Sequence, residues 1–331
     1  MKTNWKIFLV LVVIPMSMGG QPQNVGTVLR LDPALDEIVP AGAKIEKLAG
    51  GFKFTEGPIW IREGYLLFSD IPDNAIMKWA PEGTVSVFMK PSGYRGKAPF
   101  KGIESGSNGL TLDKQGRLTI AEHAGRRVTR LGKDGKLTVL AERYEGKRLN
   151  SPNDLVWKSD GSLYFTDPPY GLPTQSDNDP EKELPFNGVF RVAKGKLQLL
   201  VKDLTWPNGI AFSPDEKYLY VAVSDEAKKI WMRYEVKPDG TLANGKVFFD
   251  ATSSTEDGAP DGMKVDQKGN VYGTGPGGVW IFSPEGRQLG TIKPPEVPAN
   301  CGWGDADGKT LYMTARTGLY RIRLMIPGIR P

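Results

Sequence analysis

Short apolar runs recur along the whole chain, and each begins at a similar polar step. Five runs open with an acid or amide side chain and then a small or polar residue: EGPIW at 56–60, NGLTL at 108–112, NDLVW at 153–157, NGIAF at 208–212 and DGMKV at 261–265. A weaker copy, NCGWG, begins at Asn300. The leading residues lie 39 to 55 positions apart, and a period of about 40 to 50 residues built from short strands is typical of propeller blades. Six copies predict an all-β fold, a six-bladed β-propeller.

Each repeat contains enough strand-like runs for four antiparallel strands. The second runs, such as YLLFSD at 65–70 and SLYFTD at 162–167, mostly follow a Gly or Asp turn, which predicts a hairpin with the first strand. The start of the first strand and the end of the second lie at the same edge of a hairpin. We therefore expect the residues that end the second strands to surround the leading residues, namely Asp70, Glu122, His123, Asp167 and Asp225.

The N-terminal part of the propeller is predicted to close the ring. AKIEKLA at 43–49 alternates in polarity, and a propeller can lend such a strand to its last blade to remove an exposed edge. We predict that it pairs beside TGLYRIRL at 317–324. The propeller is therefore assigned to 43–331, and 21–42, which lacks a sustained period, is interpreted as a linker.

The first twenty residues have the pattern of a secretory signal peptide. Lys2 and Lys6 precede an apolar run, and Gly19 and Gly20 follow it. We expect residues 1–20 to be removed near these glycines, and the mature protein to be exported, periplasmic or secreted, without a membrane partner. An uncleaved N-terminal anchor is the alternative.

Two connections, at 90–107 and 168–188, are too long for simple turns. Long loops inside a compact fold often form binding loops or lids. For the second, with its polar SDNDPEKE centre, a disordered surface insertion is an equal alternative.

Charge and composition argue against several classes of partner and of internal cross-link. The net charge is +5, and without Lys2 and Lys6 there are 41 basic and 38 acidic residues, a balance that argues against nucleic acid or an anionic membrane. The single cysteine, Cys301, excludes an internal disulfide framework and a thiolate metal cluster. The oligomeric state is left open.

The leading residues of the repeats form a candidate metal site. If each opens the innermost strand of a blade, their side chains converge near the central channel: Glu56, Asn108, Asn153, Asn208, Asp261 and Asn300. Carboxylate and amide oxygens without His or Cys suit one divalent ion, Ca²⁺ first, with Mg²⁺, Mn²⁺ or Zn²⁺ as alternatives. Two other interpretations stay open: ordinary turn dipeptides, and a purely structural ion.

Several longer strings resemble a known family. EGP at 56–58, RLNSPNDL at 148–155, FTDPPYG at 165–171, PNGIAFSPDEKYLY at 207–220 and PDGMKVD at 260–266 closely resemble the SMP-30/gluconolactonase/luciferin-regenerating-like family. The resemblance implies a six-bladed propeller with a central divalent metal and lactone hydrolysis as its commonest activity. It extends over nearly the whole predicted propeller.

The resemblance also implies roles for individual residues. The metal ligands would be Glu56, Asn153, Asn208 and Asp261, with Asp261 also the general base. Asn108 and Asn300 would lie next to the ligands or face the substrate. Five further residues would line a sugar pocket: Glu122, His123, Arg148, Asp167 and Tyr170.

The resulting hypothesis is hydrolysis of a sugar lactone, such as D-glucono-1,5-lactone, to the aldonic acid by metal-activated water. His123 is the only histidine, which excludes the His dyad of paraoxonase-like lactonases, and no G-x-S-x-G motif supports a Ser-His-Asp hydrolase. The alternatives are a non-catalytic, calcium-stabilised binding module and a hydrolase of another ester or of a phosphotriester.

Overall fold

The computed structural model describes residues 24–331, and these form the predicted six-bladed propeller of antiparallel sheets. In this part of the chain only two short 3₁₀ helices, Pro33–Glu37 and His123–Gly125, interrupt the strands. Between residues 24 and 331, no helix combines the length and the apolar character needed to cross a membrane. The predicted signal peptide at 1–20 lies outside the described residues.

The first three blades each contain four strands in sequence order, with a short two-stranded ribbon before the third. Their bounds are Thr55–Ile61, Tyr65–Asp70, Ala75–Trp79 and Val85–Met89 in blade 1; Leu110–Leu112, Leu118–Glu122, Arg127–Leu131 and Leu137–Ala141 in blade 2; Arg143–Tyr144 and Lys147–Arg148 in the ribbon; and Leu155–Trp157, Leu163–Asp167, Asn187–Ala193 and Lys196–Leu204 in blade 3.

The last three blades follow the same order, and two of them recruit an N-terminal strand. Their bounds are Pro207–Phe212, Tyr218–Asp225, Lys228–Val236 and Leu242–Asp250 in blade 4; Met263–Val265, Val271–Gly275, Gly278–Phe282, Gln288–Lys293 and Thr27–Arg30 in blade 5; and Pro298–Gly304, Thr310–Ala315, Gly318–Arg323 and Ile45–Gly50 in blade 6.

Blade 6 closes the ring in the predicted way. The strand Ile45–Gly50 pairs antiparallel with Gly318–Arg323, and Ile45 lies opposite Ile322. Both of these side chains are buried, and Arg321 Nε donates to Glu46 Oε2 at 2.7 Å on the same pair of strands. The prediction that 43–49 pairs beside 317–324 is confirmed.

The segment interpreted as a linker does more than connect. Thr27–Arg30 adds a fifth strand to blade 5 by pairing with Gln288–Lys293. Leu35, Ile38 and Val39 then bury their side chains in the core between the last two blades. These three apolar residues have the spacing of a helical turn. A search for alternating polarity, which detects strands, therefore does not reveal that this segment is packed.

Large aromatic side chains fill the space between neighbouring blades. Trp231 of blade 4 is fully buried, with its ring centroid 5.0 Å from that of Phe282 and 5.8 Å from that of Trp280 in blade 5. Gly273 makes room for it, because an added Cβ there would come within 2.6 Å of the Trp231 indole nitrogen. Glycine in the second strand of blade 5 is therefore a packing requirement.

The two long loops meet on one side of the propeller. At Gly102 of the first loop, an added Cβ would lie 3.0 Å from the Cα of Pro173 in the second. The second loop is ordered by its own polar side chains, with Thr174 N donating to Asp179 Oδ2 at 2.7 Å and Asn187 Nδ2 donating to Asp177 Oδ1 at 2.8 Å. Its polar centre is thus part of the structure, and not the disordered insertion considered as the alternative.

Candidate metal centre and active site

The leading residues of the repeats come together where the blades touch. Gly57 has a φ of +55°, and an added Cβ there would lie 2.4 Å from the Asn108 carbonyl oxygen of the next blade. Only a glycine permits both the left-handed backbone and this approach. Gly109 N donates to the Asn153 carbonyl at 2.8 Å, which joins the next pair of blades in the same way.

Irregular strand starts aim these side chains. The pairing of the first two strands shifts register between Glu56 and Ile59 in blade 1 and between Pro207 and Ile210 in blade 4. A bulge of this kind turns a side chain away from strict alternation. The six leading residues of the repeats, called the ring residues from here on, therefore need not follow the alternation of the strands that they begin.

A repeated hydroxyl contact holds neighbouring blades in register around the centre. Near the end of the second strand, a Ser or Thr donates to a backbone carbonyl at the start of the next blade. The four contacts are Ser69 Oγ to Asn108 O at 2.7 Å, Thr166 Oγ1 to Asn208 O at 2.7 Å, Ser224 Oγ to Pro260 O at 2.5 Å and Thr274 Oγ1 to Ala299 O at 2.8 Å. In blades 1, 3, 4 and 5, the second strand thus holds the backbone at the start of the next blade.

Asn208 presents an uncommitted oxygen. Its Nδ2 donates to Ser224 Oγ at 2.9 Å, while its Oδ1 is buried without a hydrogen-bond partner among the described residues. Asn108 Oδ1 is likewise buried without a hydrogen-bond partner among the described residues. A buried acceptor without a donor is costly, and a cation satisfies it.

The carboxyl groups of the ring repel one another. Burial and the charge of Asp154 raise the pKa of Glu56 to about 8, although Asn300 Nδ2 donates to its Oε2 at 2.8 Å. Burial, Glu56, Asp154 and Glu104 raise the pKa of Asp261 well above its usual value. Several acidic groups in one buried place are stable together when a cation or protons balance them.

These observations fit a divalent cation held by oxygen donors. Glu56 and Asp261 would supply charge, and Asn153 and Asn208 would supply amide oxygens, which is a hard donor set. Within residues 24–331, no group of three His, Cys, Asp or Glu side chains is arranged to hold a metal by itself. The amide oxygens are therefore essential to this assignment.

Sequence reasoning missed three charged residues around the ring. Asp154 is buried, and its Oδ2 lies 3.7 Å from Lys264 Nζ, which is also 3.4 Å from Asn300 Oδ1. The negative charge of Glu104, from the loop at 90–107, helps to raise the pKa of Asp261. Asp154 directly follows Asn153 in the sequence, and Lys264 comes three positions after Asp261, so closeness in sequence could have identified both. Nothing in the sequence of the long loop distinguishes Glu104.

His123 and Tyr170 lie beside the ring. His123 is fully buried, with Nε2 2.8 Å from Glu104 Oε2 and Nδ1 3.2 Å from the Pro152 carbonyl. Tyr170 packs edge-on against Trp206 at 4.9 Å between centroids. Burial and the charge of Asp261 raise its pKa. His123 has both ring nitrogens engaged and no exposed surface, so it holds Glu104 in place, whereas Tyr170 keeps part of its surface exposed.

The other predicted pocket residues have partners of their own. Glu122 accepts from Arg127 Nε and from Thr129 Oγ1, each at 2.8 Å, within blade 2. Asp167 Oδ2 accepts from the Asn150 backbone at 2.8 Å, and burial raises its pKa to about 7. Arg148 lines a separate cleft described below.

Asp70 and Asp225, expected near the ring from hairpin geometry, cap local backbone. Asp70 Oδ1 accepts from the Phe54 amide at 3.1 Å, and Asp225 Oδ1 accepts from the Ala227 amide at 2.9 Å. Asp70 lies at the predicted edge of the sheet, opposite Thr55, but the carboxylates of Asp70 and Asp225 accept hydrogen bonds from nearby backbone amides.

Comparison with known proteins agrees with the resemblance seen in the motifs. Residues 54–317 match the family model of the SMP-30/Gluconolactonase/LRE-like region. The chain belongs to this family. It is 40% identical over 314 residues to the gluconolactonase of Zymomonas mobilis, covering 91% of this chain and 86% of that protein.

Solved structures of SMP-30/gluconolactonase type share the fold. A gluconolactonase of Xanthomonas campestris superposes with a TM-score of 0.81 at 31% identity, covering 95% of this chain and 99% of that one. A calcium-binding regucalcin of Agrobacterium tumefaciens has a TM-score of 0.68 at 20% identity, covering 88% and 96%, and supports the fold alone. All five motif strings quoted above fall inside the family match.

Proposed function

We propose that this protein is a metal-dependent lactonase that hydrolyses a sugar lactone, such as D-glucono-1,5-lactone, to the aldonic acid. The observation that carries the proposal is the buried, unpaired Asn208 Oδ1 beside mutually repelling carboxyl groups. Family membership and the 40% identical gluconolactonase support the substrate class.

The proposed cofactor is one divalent ion, Ca²⁺ first, held by Glu56, Asn153, Asn208 and Asp261. Ca²⁺ accepts carboxylate and amide oxygens in flexible geometry. When bound, such an ion polarises a carbonyl group and makes it easier for water to attack.

Asp261 is the proposed general base. It keeps partial exposure while Glu56, Asn153 and Asn208 are buried, so it faces the space that a substrate and a water can enter. Its carboxylate takes a proton from the attacking water as the water oxygen bonds to the carbonyl carbon. The bond from that carbon to the lactone ring oxygen then breaks, Asp261 returns the proton to this oxygen as it leaves, and the open-chain acid dissociates from a site whose carboxylate is regenerated.

The neighbours of Asp261 would hold the sugar. Tyr170 and the Glu104 carboxylate, which is held by His123, offer hydrogen-bonding groups, and Asn108 offers an amide oxygen without a partner among the described residues. A sugar lactone presents several hydroxyl groups that such donors and acceptors can bind.

Acid release from D-glucono-1,5-lactone in a pH-stat tests the proposal, with the spontaneous rate subtracted. The protein is assayed as purified, after EDTA, and after each of Ca²⁺, Mg²⁺, Mn²⁺ and Zn²⁺ is restored. We expect catalysis that EDTA removes and one ion restores. Folded protein without excess hydrolysis under any of these conditions would overturn the proposal and favour a binding module or another ester substrate.

A further inference from the structure

A cleft with a surplus of positive charge lies beside the candidate active site. It has a volume of 310 Å³ and lies between the loop at 90–107 and the beginning of the loop at 168–188. Five cationic side chains line it: Arg95, Lys101, Arg126, Arg127 and Arg148. None of them is a candidate metal ligand.

Arg126 is buried in the wall of this cleft with one nitrogen free. It is 4% exposed, and its Nε and Nη1 donate to the carbonyls of Leu149 at 2.7 Å and Glu181 at 2.9 Å. Its Nη2 has no hydrogen-bond partner among the described residues, and the Glu183 carboxylate is 3.9 Å away. A buried guanidinium nitrogen without an acceptor is costly unless a ligand supplies one.

Arg148 adds a second charge without a partner of its own. Its backbone amide donates to Glu183 Oε2 at 2.7 Å. Its guanidinium, however, makes no salt bridge with any carboxylate between residues 24 and 331. Arg126 and Arg148 line the same cleft, and both lie at the Glu183 carboxylate, which accepts from the Arg148 amide and is 3.9 Å from Arg126 Nη2. Burial and the charge of Arg148 lower the pKa of Arg126.

The acidic residues around the cleft leave this surplus in place. Glu122 pairs with Arg127 at 2.8 Å and with Arg95 at 3.6 Å. Glu183 lies 3.9 Å from both Arg126 and Arg143, and Glu181 contributes its backbone carbonyl to Arg126. The charges of Glu183, Asp167 and Glu181 also act on Arg126. Five cationic side chains nevertheless line the cleft with one carboxylate, that of Glu181, and Arg126 Nη2 has no hydrogen-bonded acceptor among the described residues.

We propose that this cleft binds an oxyanion group: phosphate, sulfate, sulfonate or carboxylate. Guanidinium groups bind such oxygens through paired, charge-assisted hydrogen bonds, and two of them can grip one anion from two sides. The anion can be a substituent of the substrate or a separate small ion. The position favours coupling to catalysis, because Ala124 and Gly125 of the cleft directly follow His123, which contacts Glu104.

Binding of inorganic sulfate, measured by isothermal titration calorimetry on the full mature protein, tests the site itself. We expect Arg148→Gln to weaken sulfate binding by about tenfold or more, because one charge-assisted contact is lost. Arg148→Lys keeps the charge but not the planar fork, so it should lose less. The control Arg62→Gln removes an exposed arginine from the turn between the first two strands of blade 1 and should bind as the wild type does.

Circular dichroism of each variant establishes that it is folded before the titration. Wild-type protein that does not bind sulfate, or an Arg148→Gln protein that binds it unchanged, overturns the proposal. Sulfate binding that survives in Arg148→Gln but is lost in Asp261→Asn would assign the anion to the ring instead.

A second experiment identifies the source of the anion and rests on the proposed lactonase function. The kcat/KM values for D-glucono-1,5-lactone and its 6-phosphate are compared in wild type and in Arg148→Gln. A substituent site predicts a preference for the phosphorylated lactone that the variant loses by about tenfold. An equal loss of kcat/KM for both lactones indicates that the cleft binds a separate ion and not a substituent of the substrate. If neither lactone is hydrolysed, the proposed lactonase function fails, but the sulfate titration still tests the cleft.

Discussion

Asn208 illustrates how one contact can prepare a ligand. The Ser224 hydroxyl accepts from its Nδ2, which fixes the amide with its Oδ1 turned away from every donor. Ser224 in turn donates to the Pro260 carbonyl, directly before Asp261. One serine therefore orients two candidate ligands from neighbouring blades, which is the preorganisation that a metal site needs.

Asp261→Asn should reduce kcat/KM for the lactone by at least about a hundredfold, because general base catalysis contributes about 10²–10⁴-fold. The matched control is Asp257→Asn, an exposed aspartate in the same connection whose partner is Arg316 on the surface. It should keep wild-type activity. An active Asp261→Asn protein would remove this residue from the mechanism.

Asp167 makes stability depend on pH. Burial raises its pKa from 3.8 to about 7, so between those values the folded state holds a proton that the unfolded chain has lost. The free energy of unfolding of the wild type therefore falls as pH rises from about 4 to 7, by up to about 1.4 kcal/mol per pH unit from this group. Asp167→Asn has no such proton, so its stability relative to wild type should rise through the window.

Urea unfolding at a series of pH values measures this difference. Asp215→Asn is the control, because hydrogen bonds from Ser213 and Lys217 lower the pKa of Asp215 and no gain with pH is expected. Parallel stability profiles for Asp167→Asn and wild type would contradict the assignment.

In four of the six blades, a single hydroxyl near the end of the second strand donates to the next blade. Thr166 donates to the carbonyl of Asn208 and accepts from the amide of Asp154 at 3.2 Å, so it joins the beginnings of two blades. The alternation of side chains along this strand requires only that position 166 face inward. The hydroxyl group of Thr166 is what links the two blades.

Thr166→Val keeps the shape and removes the hydroxyl. It should lower the free energy of unfolding by about 1–3 kcal/mol, since a buried carbonyl loses a donor. It should also lower activity, because the backbone of Asn208 is no longer held. Thr241→Val, in an exposed turn, is the control for the chemistry of the change and should have a smaller effect on both. Unchanged melting and activity in Thr166→Val would show that the contact between blades is dispensable.

The N-terminal strand should contribute strongly to stability. Ile45 is 1% exposed against blade 6, and Ile45→Ala should cost about 2–5 kcal/mol through lost burial and an unfilled cavity. Leu31→Ala, at a side chain that is 53% exposed, should have little effect. Chemical denaturation compares the two, and a similar small loss in both would mean that ring closure does not depend on this strand.

At the level of the whole propeller, the central channel concentrates negative charge that the blades alone do not balance. The charge of Asp154 helps to raise the pKa of Glu56 and of Asp261, and Lys264 is the cation next to Asp154. The ion would thus connect blades 1, 3, 4 and 5 through one set of contacts. Its binding would be coupled to both folding and protonation.

Calcium should raise the melting temperature of chelator-treated protein more at high pH than at low pH. Below the Glu56 pKa of about 8 a proton competes for the site, and above it the ion meets a full negative charge. At a hundredfold excess over Kd, binding adds about 2.7 kcal/mol to stability. Differential scanning calorimetry with and without Ca²⁺ on both sides of that pH measures the effect, and Glu56→Gln should flatten it. An increment that does not change with pH would argue against ionisable ligands.

Local patterns in the chain were enough to predict the six blades and the closing strand. Alternation, turn residues and the repeated polar step act over a few residues, so they remain visible without a structure. The motif strings likewise identified the family, because each is contiguous in the chain.

Only the folded chain decides which distant residues meet. Glu104 lies beside His123, and Arg126 beside Arg148, through loops with no period. Thr27–Arg30 joins blade 5 because an edge was open there. The charge of Asp154 acts on Glu56 and Asp261, although strict alternation would place Asp154 on the opposite face from the leading residue Asn153. These contacts depend on bulges, loop paths and the packing of blades, which are properties of the whole molecule and have no signature in any short stretch.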